Sequence, residues 1–321
     1  MDREAEEFTY IVNASEAGLR LDEFVHKQEA MLPLGAVRRA IEAGDVLVNG
    51  QHRSSGWRLR AGNRVTVELS SHLHRALVAE PIPLDILYED DHIIAVNKPP
   101  SMLSHPSLRE RRGSLINALI YHFQQHQQAD KSTPWPALVH RLDRDTSGVI
   151  LIAKQERALQ KLSHQFNERR VQKTYLAIVF GQLDPQAGLI DAPIGRHPAL
   201  WPRWRIMEKE GKPAQTRYWV EEQLNDFALV KLELLTGRTH QLRIHLAHIG
   251  HPIVGDQTYG RRLNKELTET HTELHIKRQL LHAATLTFQH PIIKETISLE
   301  APLPKDMAEF LTFARQTVEA P

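Results

Sequence analysis

A run of nine mostly polar residues stands directly before a wholly apolar stretch in the middle of the chain. The polar run extends from His140 to Gly148 and contains Asp143 and Asp145, and the apolar stretch is Val149 to Ala153. Five consecutive apolar residues with polar neighbours indicate a buried strand. A charged loop beside a buried strand is a common position for a catalytic group, although a capped loop whose aspartates pair with arginines would have the same pattern.

Composition narrows the classes of protein to which the chain can belong. It has 321 residues, of which 41% are hydrophobic, and at ~100–200 residues per domain this indicates two domains. The absence of cysteine excludes a disulfide scaffold, a thiolate nucleophile and a cysteine-ligated zinc site. The apolar runs are shorter than the ~20 residues that cross a bilayer, and the acidic N-terminus is unlike a secretory signal. We therefore expect a cytoplasmic protein.

Hydrophobic spacing predicts a compact unit at the N-terminal end. The predicted elements are, in chain order, a strand, two helices and two further strands, at residues 8–12, 19–25, 34–43, 45–50 and 64–69. The fourth of these elements ends in an Asn-Gly turn, which is typical of a hairpin.

This unit resembles the alpha-L RNA-binding domain. The matching residues are Gly18 to Asp22, Arg38 and Arg39, Val46 to Gly50, and Ala61 to Val65. Total charge gives no sign of a nucleic-acid partner, because 40 Lys+Arg stand against 39 Asp+Glu, so the distribution of charge matters more. The second half of the unit is rich in arginine, which fits a phosphate-facing surface, although a solvated charged face has the same composition. The candidate RNA contacts are Arg38, Arg39 and Arg53.

The segment after this unit suits a connection between domains. Residues 71–84 lack clear periodicity and contain Pro81 and Pro83. We therefore predict an RNA-binding domain at 1–70, a linker at 71–84, and a second domain at 85–321.

The second domain is predicted to be α+β with mainly antiparallel sheet. Strand-like and helix-like stretches alternate irregularly there, at residues 93–96, 115–122, 149–153, 158–166, 174–179, 216–220, 229–235 and 284–288.

The nine-residue polar run is similar to the signature of the RluA-type pseudouridine synthases, in which the aspartate after Arg-Leu is the nucleophile. The resemblance continues in the expected order at Asn97 to Pro100 with His105-Pro106, at Lys173 to Ala177, and at Thr236 to Arg243. Ser101 stands where the first of these motifs usually has glycine. The resemblance covers essentially all of residues 85–321. It implies an enzyme that isomerises uridine to pseudouridine in RNA and needs no cofactor.

The resemblance assigns catalytic roles to four residues. Asp143 would be the nucleophile, and Arg141 beside it would displace or replace the flipped base, because a planar guanidinium can stack where a base was. Tyr175 would offer a flat face to the uracil and help to remove the C5 proton. Arg243 would pair with Asp143 and keep it ionised in a partly desolvated pocket. Without the resemblance, Arg141 could instead contact a phosphate and Tyr175 could be a core residue.

Further contacts are predicted around these residues. His140, Leu242 and Ile244 are expected to contact the substrate, and the two aliphatic residues would form apolar walls for the uracil, although residues of an ordinary amphipathic helix would have the same pattern. Arg196 and Lys212 lie in segments that resemble family loops near the RNA.

A dense group of histidines follows the last motif, at His240, His245, His248 and His251. We predict no metal site there, because no acidic ligand lies within the run and the implied chemistry needs no Lewis acid. Contacts to phosphate or to helix ends are expected instead.

Two other classes of protein are compatible with parts of the sequence. A hydrolase could use Asp143 and Asp145 as a carboxylate pair, but side chains two residues apart in an extended loop point in opposite directions. A non-catalytic RNA-binding protein is the other class. Within the family, the N-terminal module and the stretches at 196–198 and 254–256 favour large-subunit ribosomal RNA as substrate, with transfer RNA as the alternative. A monomer is expected.

Overall fold

The structure, a computed structural model, describes residues 6–28, 34–69, 78–106, 110–126, 136–197 and 203–319. The chain divides into two compact units, Met1–Val78 and Ala79–Pro321. The first half of the predicted linker, residues 71–77, lies outside the described residues. The last part of the linker packs within the second unit, where the Glu80 amide donates to the Asn117 carbonyl at 3.1 Å and the Glu80 carboxylate accepts from the Gly113 amide. The linker itself stays a prediction.

The first unit combines a four-stranded antiparallel sheet with two helices. Its elements are β1 (Glu6–Ile11), α1 (Leu21–Gln28), α2 (Leu34–Ala43), β2 (Val46–Val48), β3 (Gln51–His52) and β4 (Arg64–Leu69), with a short 3-10 helix at Ala14–Glu16. The strand order is β1-β4-β2-β3.

Local sequence explains the form of this unit. Asn49 and Gly50 both have positive φ, 52° and 74°, as the tight turn of a two-residue hairpin requires. The apolar faces of the two helices meet the inward face of the sheet, where Phe24, Ile41 and Val65 are fully buried. The predicted helices and strands are confirmed for this part of the chain.

The second unit is built on one large sheet with helices packed against it. Its elements are β5 (Ile86–Glu89), β6 (Ile93–Lys98), α3 (Leu115–Gln125), β7 (Ala137–Leu138), β8 (Ser147–Ala153), α4 (Glu156–Asn167), β9 (Gln172–Phe180), β10 (Ala187–Asp191), β11 (Ile194–Arg196), β12 (Trp204–Ile206), β13 (Gln215–Leu224), β14 (Phe227–Leu234), α5 (Gln241–His248), α6 (Arg261–Thr270), β15 (Leu281–Gln289), β16 (Thr296–Glu300) and α7 (Lys305–Glu319).

The sheet runs in the order β10-β13-β14-β9-β15-β8-β6-β5, with β16 beside β15 and β7 beside β8. Its pairings are antiparallel except for β15 with β8, which is parallel. All seven residues of β8 are buried, as its continuous apolar run predicts. The prediction of an α+β fold with mainly antiparallel sheet is confirmed. Within the described ranges, every helix is too short or too polar to span a bilayer.

Two hydrophobic clusters fix the sheet. In one cluster α4 packs Leu162 against Leu151 of β8 and Phe288 of β15. In the other, Phe310 of α7 packs near Ile178 of β9. The loop that precedes β8 therefore emerges where the middle strands of the sheet are held most firmly, and Asp143 lies in that loop.

Candidate active site

The loop that carries Asp143 is fixed to its surroundings by buried hydrogen bonds. The Ser104 hydroxyl donates to the Leu142 carbonyl at 2.8 Å and accepts from the Leu142 amide at 3.3 Å. The Thr146 amide donates to the Asp143 carbonyl at 3.1 Å, which closes a turn. Leu142 and the turn that Thr146 closes hold the backbone on either side of Asp143. The side chain of Asp143 is 32% exposed and faces open space.

Two buried cations bind the carbonyls that follow Asp143. The Lys98 ammonium donates to the carbonyls of Arg144, Pro99 and Met102 at 2.7–2.9 Å. Burial lowers the pKa of Lys98 to about 7, while the nearby carboxylates of Asp145 and Asp143 favour its charged form. All three ammonium hydrogens have a carbonyl acceptor, so the contacts fit the charged form.

Arg278 is the second of these cations. Its Nη1 donates to the Asp145 carbonyl at 3.1 Å, and its Nε and Nη2 bind both carboxylate oxygens of Asp306 at 2.6 and 2.8 Å.

Ser101, where the family usually has glycine, has φ of 62°, so this serine adopts the left-handed conformation that glycine reaches most easily.

Arg243 lies in the first turn of α5 and links two carboxylates. Its Nε and Nη2 bind Asp256 at 2.6 and 2.9 Å, and its Nη1 lies 3.4 Å from Oδ2 of Asp143. Asp256 is fully buried and also accepts from the amides of Thr258 and Tyr259. Burial lowers the pKa of Arg243, but the hydrogen bonds and charge of Asp256 outweigh burial and raise it. Arg243 is therefore a fixed positive charge beside Asp143.

His240 stands on the other side of Asp143. Its Nε2 lies 3.8 Å from Oδ2 of Asp143, and its Nδ1 lies 2.9 Å from the Tyr259 hydroxyl. The residue has φ of 56° at the start of α5, a conformation that is costly for a side-chain-bearing residue and is often found at functional sites. Burial lowers the pKa of His240, with Asp143 opposing this shift, so the ring is neutral at neutral pH.

The polar residues of the last motif build the turn that leads into α5. The Thr236 hydroxyl donates to Oε1 of Gln241 at 2.8 Å, and the Arg238 amide donates to the same oxygen at 3.0 Å. Nε2 of Gln241 donates to the Gln215 carbonyl at 2.9 Å. These bonds fix the start of α5, the helix that carries Arg243.

Tyr175 lies on β9, is 7% exposed, and lines the space in front of Asp143. Burial raises the pKa of the Tyr175 phenol, and the charge of Asp143 acts in the same direction. A phenol that stays protonated can stack and donate a hydrogen bond but is a weak base. The raised pKa therefore favours stacking or hydrogen-bond donation by Tyr175 over proton removal.

Three cavities meet at Asp143. A cleft of about 790 Å³, a second cavity of about 330 Å³ and an inner pocket of about 80 Å³ all have Arg141, Asp143 and His240 in their linings. Arg141 is exposed, so its side chain stands at the junction. Leu242 and Tyr175 line the inner pocket.

Two other predicted substrate contacts occupy different positions. His140 lines the large cleft, stacks on Phe166 with ring centroids 4.9 Å apart, and accepts the Leu151 amide at Nε2. Burial, and then the charge of Lys173, lower the pKa of His140 to about 3. Ile244 packs in a hydrophobic cluster with Ile194 and is not among the residues that line the three cavities. Successive helical residues point ~100° apart, so Ile244 faces away from the side of Leu242, and its role as a wall for uracil stays a prediction.

The predicted RNA contacts of the first unit divide into three cases. Arg38 is 46% exposed, and its Nε donates to the buried carboxylate of Asp22 at 2.7 Å. The side chain of Arg39 lies outside the described residues. Arg53 is partly exposed, with its guanidinium carbon 4.5 Å from the ring centroid of Trp57.

In the second unit, Arg196 and Lys212 are both exposed. The guanidinium of Arg196 lies 5.4 Å from the ring centroid of Trp204. Lys212 pairs with Ile194 through two backbone hydrogen bonds of 2.9 Å. Both residues border the β11–β12 hairpin and stay predicted RNA contacts.

The histidine group does not form a metal centre in the described part of the chain, where no cluster of three ligating side chains occurs. His245 is fully buried between the Thr216 hydroxyl and the Ala192 carbonyl, at 2.9 and 3.0 Å. It therefore contacts neither phosphate nor a helix end of another element, contrary to expectation. His248 lies exposed in the last turn of α5.

Sequence reasoning missed the residues that hold Asp143 and its loop in place. These are Lys98, Asp256, Tyr259 and Arg278, together with His240. Lys98 and His240 lie inside motifs that carry the family resemblance, and this position could have indicated a role at the site. Asp256 ends the stretch at 254–256 that favoured a ribosomal substrate, but nothing in the sequence indicated its pairing with Arg243.

Comparison with known proteins decides the family. The model of the RNA pseudouridylate synthase family matches residues 92–248, and the S4 domain model matches residues 19–65. An uncharacterized RNA pseudouridine synthase of Chlorobaculum parvum is 38% identical over 97% of this chain and 99% of its own length. The chain belongs to the RNA pseudouridine synthase family. Ribosomal large subunit pseudouridine synthase D of Nitrosomonas europaea is 38% identical to this synthase over 93% of the chain and 85% of that protein.

A solved structure agrees with this assignment. Human RNA pseudouridylate synthase domain containing 4 has a TM-score of 0.57 and 26% identity, over 72% of this chain and 92% of that one. The family resemblance, the RNA-binding N-terminal module and the enzyme class predicted from the sequence are thus confirmed. This synthase is an isomerase that acts on uridine in RNA, which removes the hydrolase and the non-catalytic binding protein as alternatives.

Proposed function

We propose that Asp143 is the nucleophile of this synthase and that its substrate is large-subunit ribosomal RNA. The observation that supports the first part is the meeting of three cavities at one carboxylate. Arg243, fixed by Asp256, and His240 lie within 3.4 and 3.8 Å of that carboxylate. A partly exposed carboxylate that a fixed cation orients is accessible, as attack on a ribose or a uracil ring requires.

The cavities suit a strand with one nucleotide flipped out. The uracil enters the inner pocket, between Tyr175 and Leu242, and the flanking nucleotides leave through the two larger cavities. Arg141 stands at the junction, where its guanidinium takes the place of the extruded base.

The reaction conserves the composition of the nucleotide. Asp143 forms a bond to C1′ or to C6, the C1′–N1 bond breaks, and the uracil turns while Asp143 holds one fragment. A C1′–C5 bond then forms and the bond to Asp143 breaks, while the C5 proton leaves to water and N1 gains a proton. Attack by Asp143 at C1′ or at C6 starts from the same arrangement. The neutral phenol of Tyr175 stacks on the ring throughout.

The ribosomal substrate is supported by several relatives that are named as synthases of the large ribosomal subunit. The first unit adds an RNA-binding module. A structured RNA has separate sites that the first unit and the second unit can each bind. Cytoplasmic location, a monomeric state and the absence of a cofactor remain predictions that accompany this proposal.

The test follows tritium released from C5 of uridine, using protein-free large-subunit ribosomal RNA and bulk transfer RNA in parallel. The parent and the control Asp226→Asn, an exposed residue of the β13–β14 turn, are expected to release tritium from the ribosomal RNA. Asp143→Asn is expected to lose at least about 10³-fold in rate. Retained activity in Asp143→Asn would refute the nucleophile, and release from transfer RNA alone would refute the ribosomal substrate.

A further inference from the structure

Trp57 is a large aromatic residue that the first unit leaves at its surface. It is 42% exposed and does not belong to the buried cluster that α1, α2 and the sheet enclose. A tryptophan usually buries much of its surface in a core or an interface. Its position here therefore indicates an external partner.

The backbone around Trp57 is held rigidly. Its amide donates to the Ser54 carbonyl at 2.9 Å, and its carbonyl accepts from the Leu21 amide at 2.8 Å. The Asp22 amide donates to the Ser55 carbonyl at 3.0 Å. The loop is thus tied to the first turn of α1, and the indole is presented without the entropy cost of ordering a loose loop.

Three arginines lie on or beside the segment that carries Trp57. The guanidinium of Arg53 covers it at 4.5 Å from the ring centroid. The guanidinium of Arg20 lies over Gly56, 3.6 Å from where a Cβ would stand, and Arg20 pairs with Arg58 in a β-bridge. We call Arg20, Arg53, Trp57 and Arg58 the Trp57 platform.

A buried carboxylate orders this surface. Asp22 is fully buried and accepts from Arg20 through two bonds of 2.9 and 3.0 Å and from Arg38 through one of 2.7 Å. Burial opposes the charge of Asp22, but these arginine bonds lower its pKa overall. The two guanidiniums are therefore oriented by a group that is itself shielded from any ligand, while 38% and 46% of their side chains remain exposed.

We propose that the Trp57 platform binds an unpaired nucleobase, which stacks on the indole while the adjacent phosphates meet Arg53, Arg20 and Arg58. The proposal rests on the proposed function only in taking RNA as the partner. A base within a duplex exposes its edges but not its faces, so the platform selects a bulged, looped or terminal nucleotide. It would give the first unit a preference for RNA shape that arginines alone cannot provide.

The test measures binding of the full chain to three fluorescein-labelled probes. These are a short oligoadenylate, an abasic oligoribose phosphate of the same length and charge, and the same adenylate paired in a duplex. None of these probes has a uridine in the labelled strand, so the result does not depend on whether Asp143 performs catalysis.

Trp57→Ala is expected to weaken binding of the oligoadenylate by about 5- to 100-fold, the range that loss of one stacked base gives. Its binding of the abasic probe and of the duplex should change by less than about twofold. Trp57→Phe keeps an aromatic face and should retain most of the affinity, which separates stacking from a general disturbance of the fold.

The matched control is Trp219→Ala. Trp219 is 37% exposed and has the ammonium of Lys231 at 5.8 Å from its ring centroid, but it lies on β13 of the second unit. This control should bind the oligoadenylate like the parent. Equal losses in both alanine variants, an equal loss on the abasic probe, or no loss at all in Trp57→Ala would each overturn the proposal.

Discussion

At the scale of single residues, the surroundings of Asp143, the proposed nucleophile, depend on a carboxylate that does not touch it. Arg243 uses Nε and Nη2 to bind Asp256, and these bonds aim Nη1 at Asp143. Arg243 is 7% exposed and Asp256 is fully buried. Because a guanidinium is planar and its donors are fixed, two bonds on one edge determine the direction of the third nitrogen.

Asp256→Asn tests this dependence. The buried guanidinium would lose its compensating charge, and breaking a buried pair by removing one partner costs about 3–5 kcal/mol. We expect the free energy of unfolding to fall by that amount, measured by chemical denaturation, and the rate of tritium release to fall by about 10- to 100-fold.

Glu222→Gln is the control for Asp256→Asn. Glu222 binds Arg315 through two bonds of 2.7 and 2.8 Å, the same arrangement, but both side chains are partly exposed. Exposed pairs contribute about 0–1 kcal/mol, so this change should have little effect on stability or rate. If the two variants were equally stable, Asp256 would not carry the role given to it.

The sequence identified the reacting residues better than the residues that hold them. Asp143, Arg141 and Tyr175 were predicted from motifs and all line the inner pocket. Pairing between Arg243 and Asp256 could not be predicted, because it depends on how the chain after α5 returns to the helix. The side of α5 on which Ile244 lies could not be predicted for a simpler reason, since its orientation follows from the rotation of a helix whose start was unknown.

At the scale of elements, the site depends on the one parallel pairing of the large sheet. β8 and β15 meet at Ser147 with His282 and at Gly148 with Ala283. Gly148 has φ of 110°, and a Cβ there would stand 2.1 Å from the Ala283 carbonyl oxygen. A glycine is therefore required where the Asp143 loop enters the sheet.

Gly148→Ala is expected to destabilise the protein by about 3–5 kcal/mol, because the methyl group forces two adjacent strands apart and strains the backbone. Thermal or chemical unfolding of the parent and the variant measures this loss. Gly237→Ala is the comparison for stability, because Gly237 has no atom within 4 Å of an added Cβ. A Gly148→Ala protein as stable as Gly237→Ala would show that the strands can separate without cost.

The central strands were predictable, while the edges of the sheet were not. Val149 to Ala153 is apolar throughout because β8 is covered on both faces, and such a run can be recognised from the sequence alone. β10 and β16 have five residues each, so their alternation between exposed and less exposed residues is too short to be a clear signal. Their place in the sheet follows from pairing with strands far away in the chain, which local periodicity does not encode.

At the scale of the whole molecule, positive and negative charges nearly balance, and the cations that can contact RNA lie at a few separate places. The net charge is +1, which provides little long-range attraction for a polyanion. Arg53 of the first unit is partly exposed and Arg196 of the second unit is exposed, and each lies beside a tryptophan. RNA affinity should therefore depend on a few phosphate contacts that can be counted.

The salt dependence of binding counts these contacts. Each phosphate contact contributes roughly 0.7–0.9 to the slope of log K against log salt concentration. Arg53→Gln and Arg196→Gln should each reduce the slope by about that amount, and the double variant by about 1.5, because the two residues belong to different units and add independently. Binding of ribosomal RNA by the full chain, measured by fluorescence anisotropy across salt concentrations, gives the slopes.

Arg262→Gln is the control for this series, since Arg262 is exposed on α6 and pairs with Glu266 one helical turn away. Its slope should equal that of the parent. A double variant with the parent's slope would mean that neither arginine meets a phosphate. A change with Arg53→Gln alone would place the phosphate contacts of this series in the first unit and leave Arg196 as a solvated residue. Additive slopes would mean that both units bind the same RNA at once, and the affinity of each would then raise the effective concentration of RNA at the other.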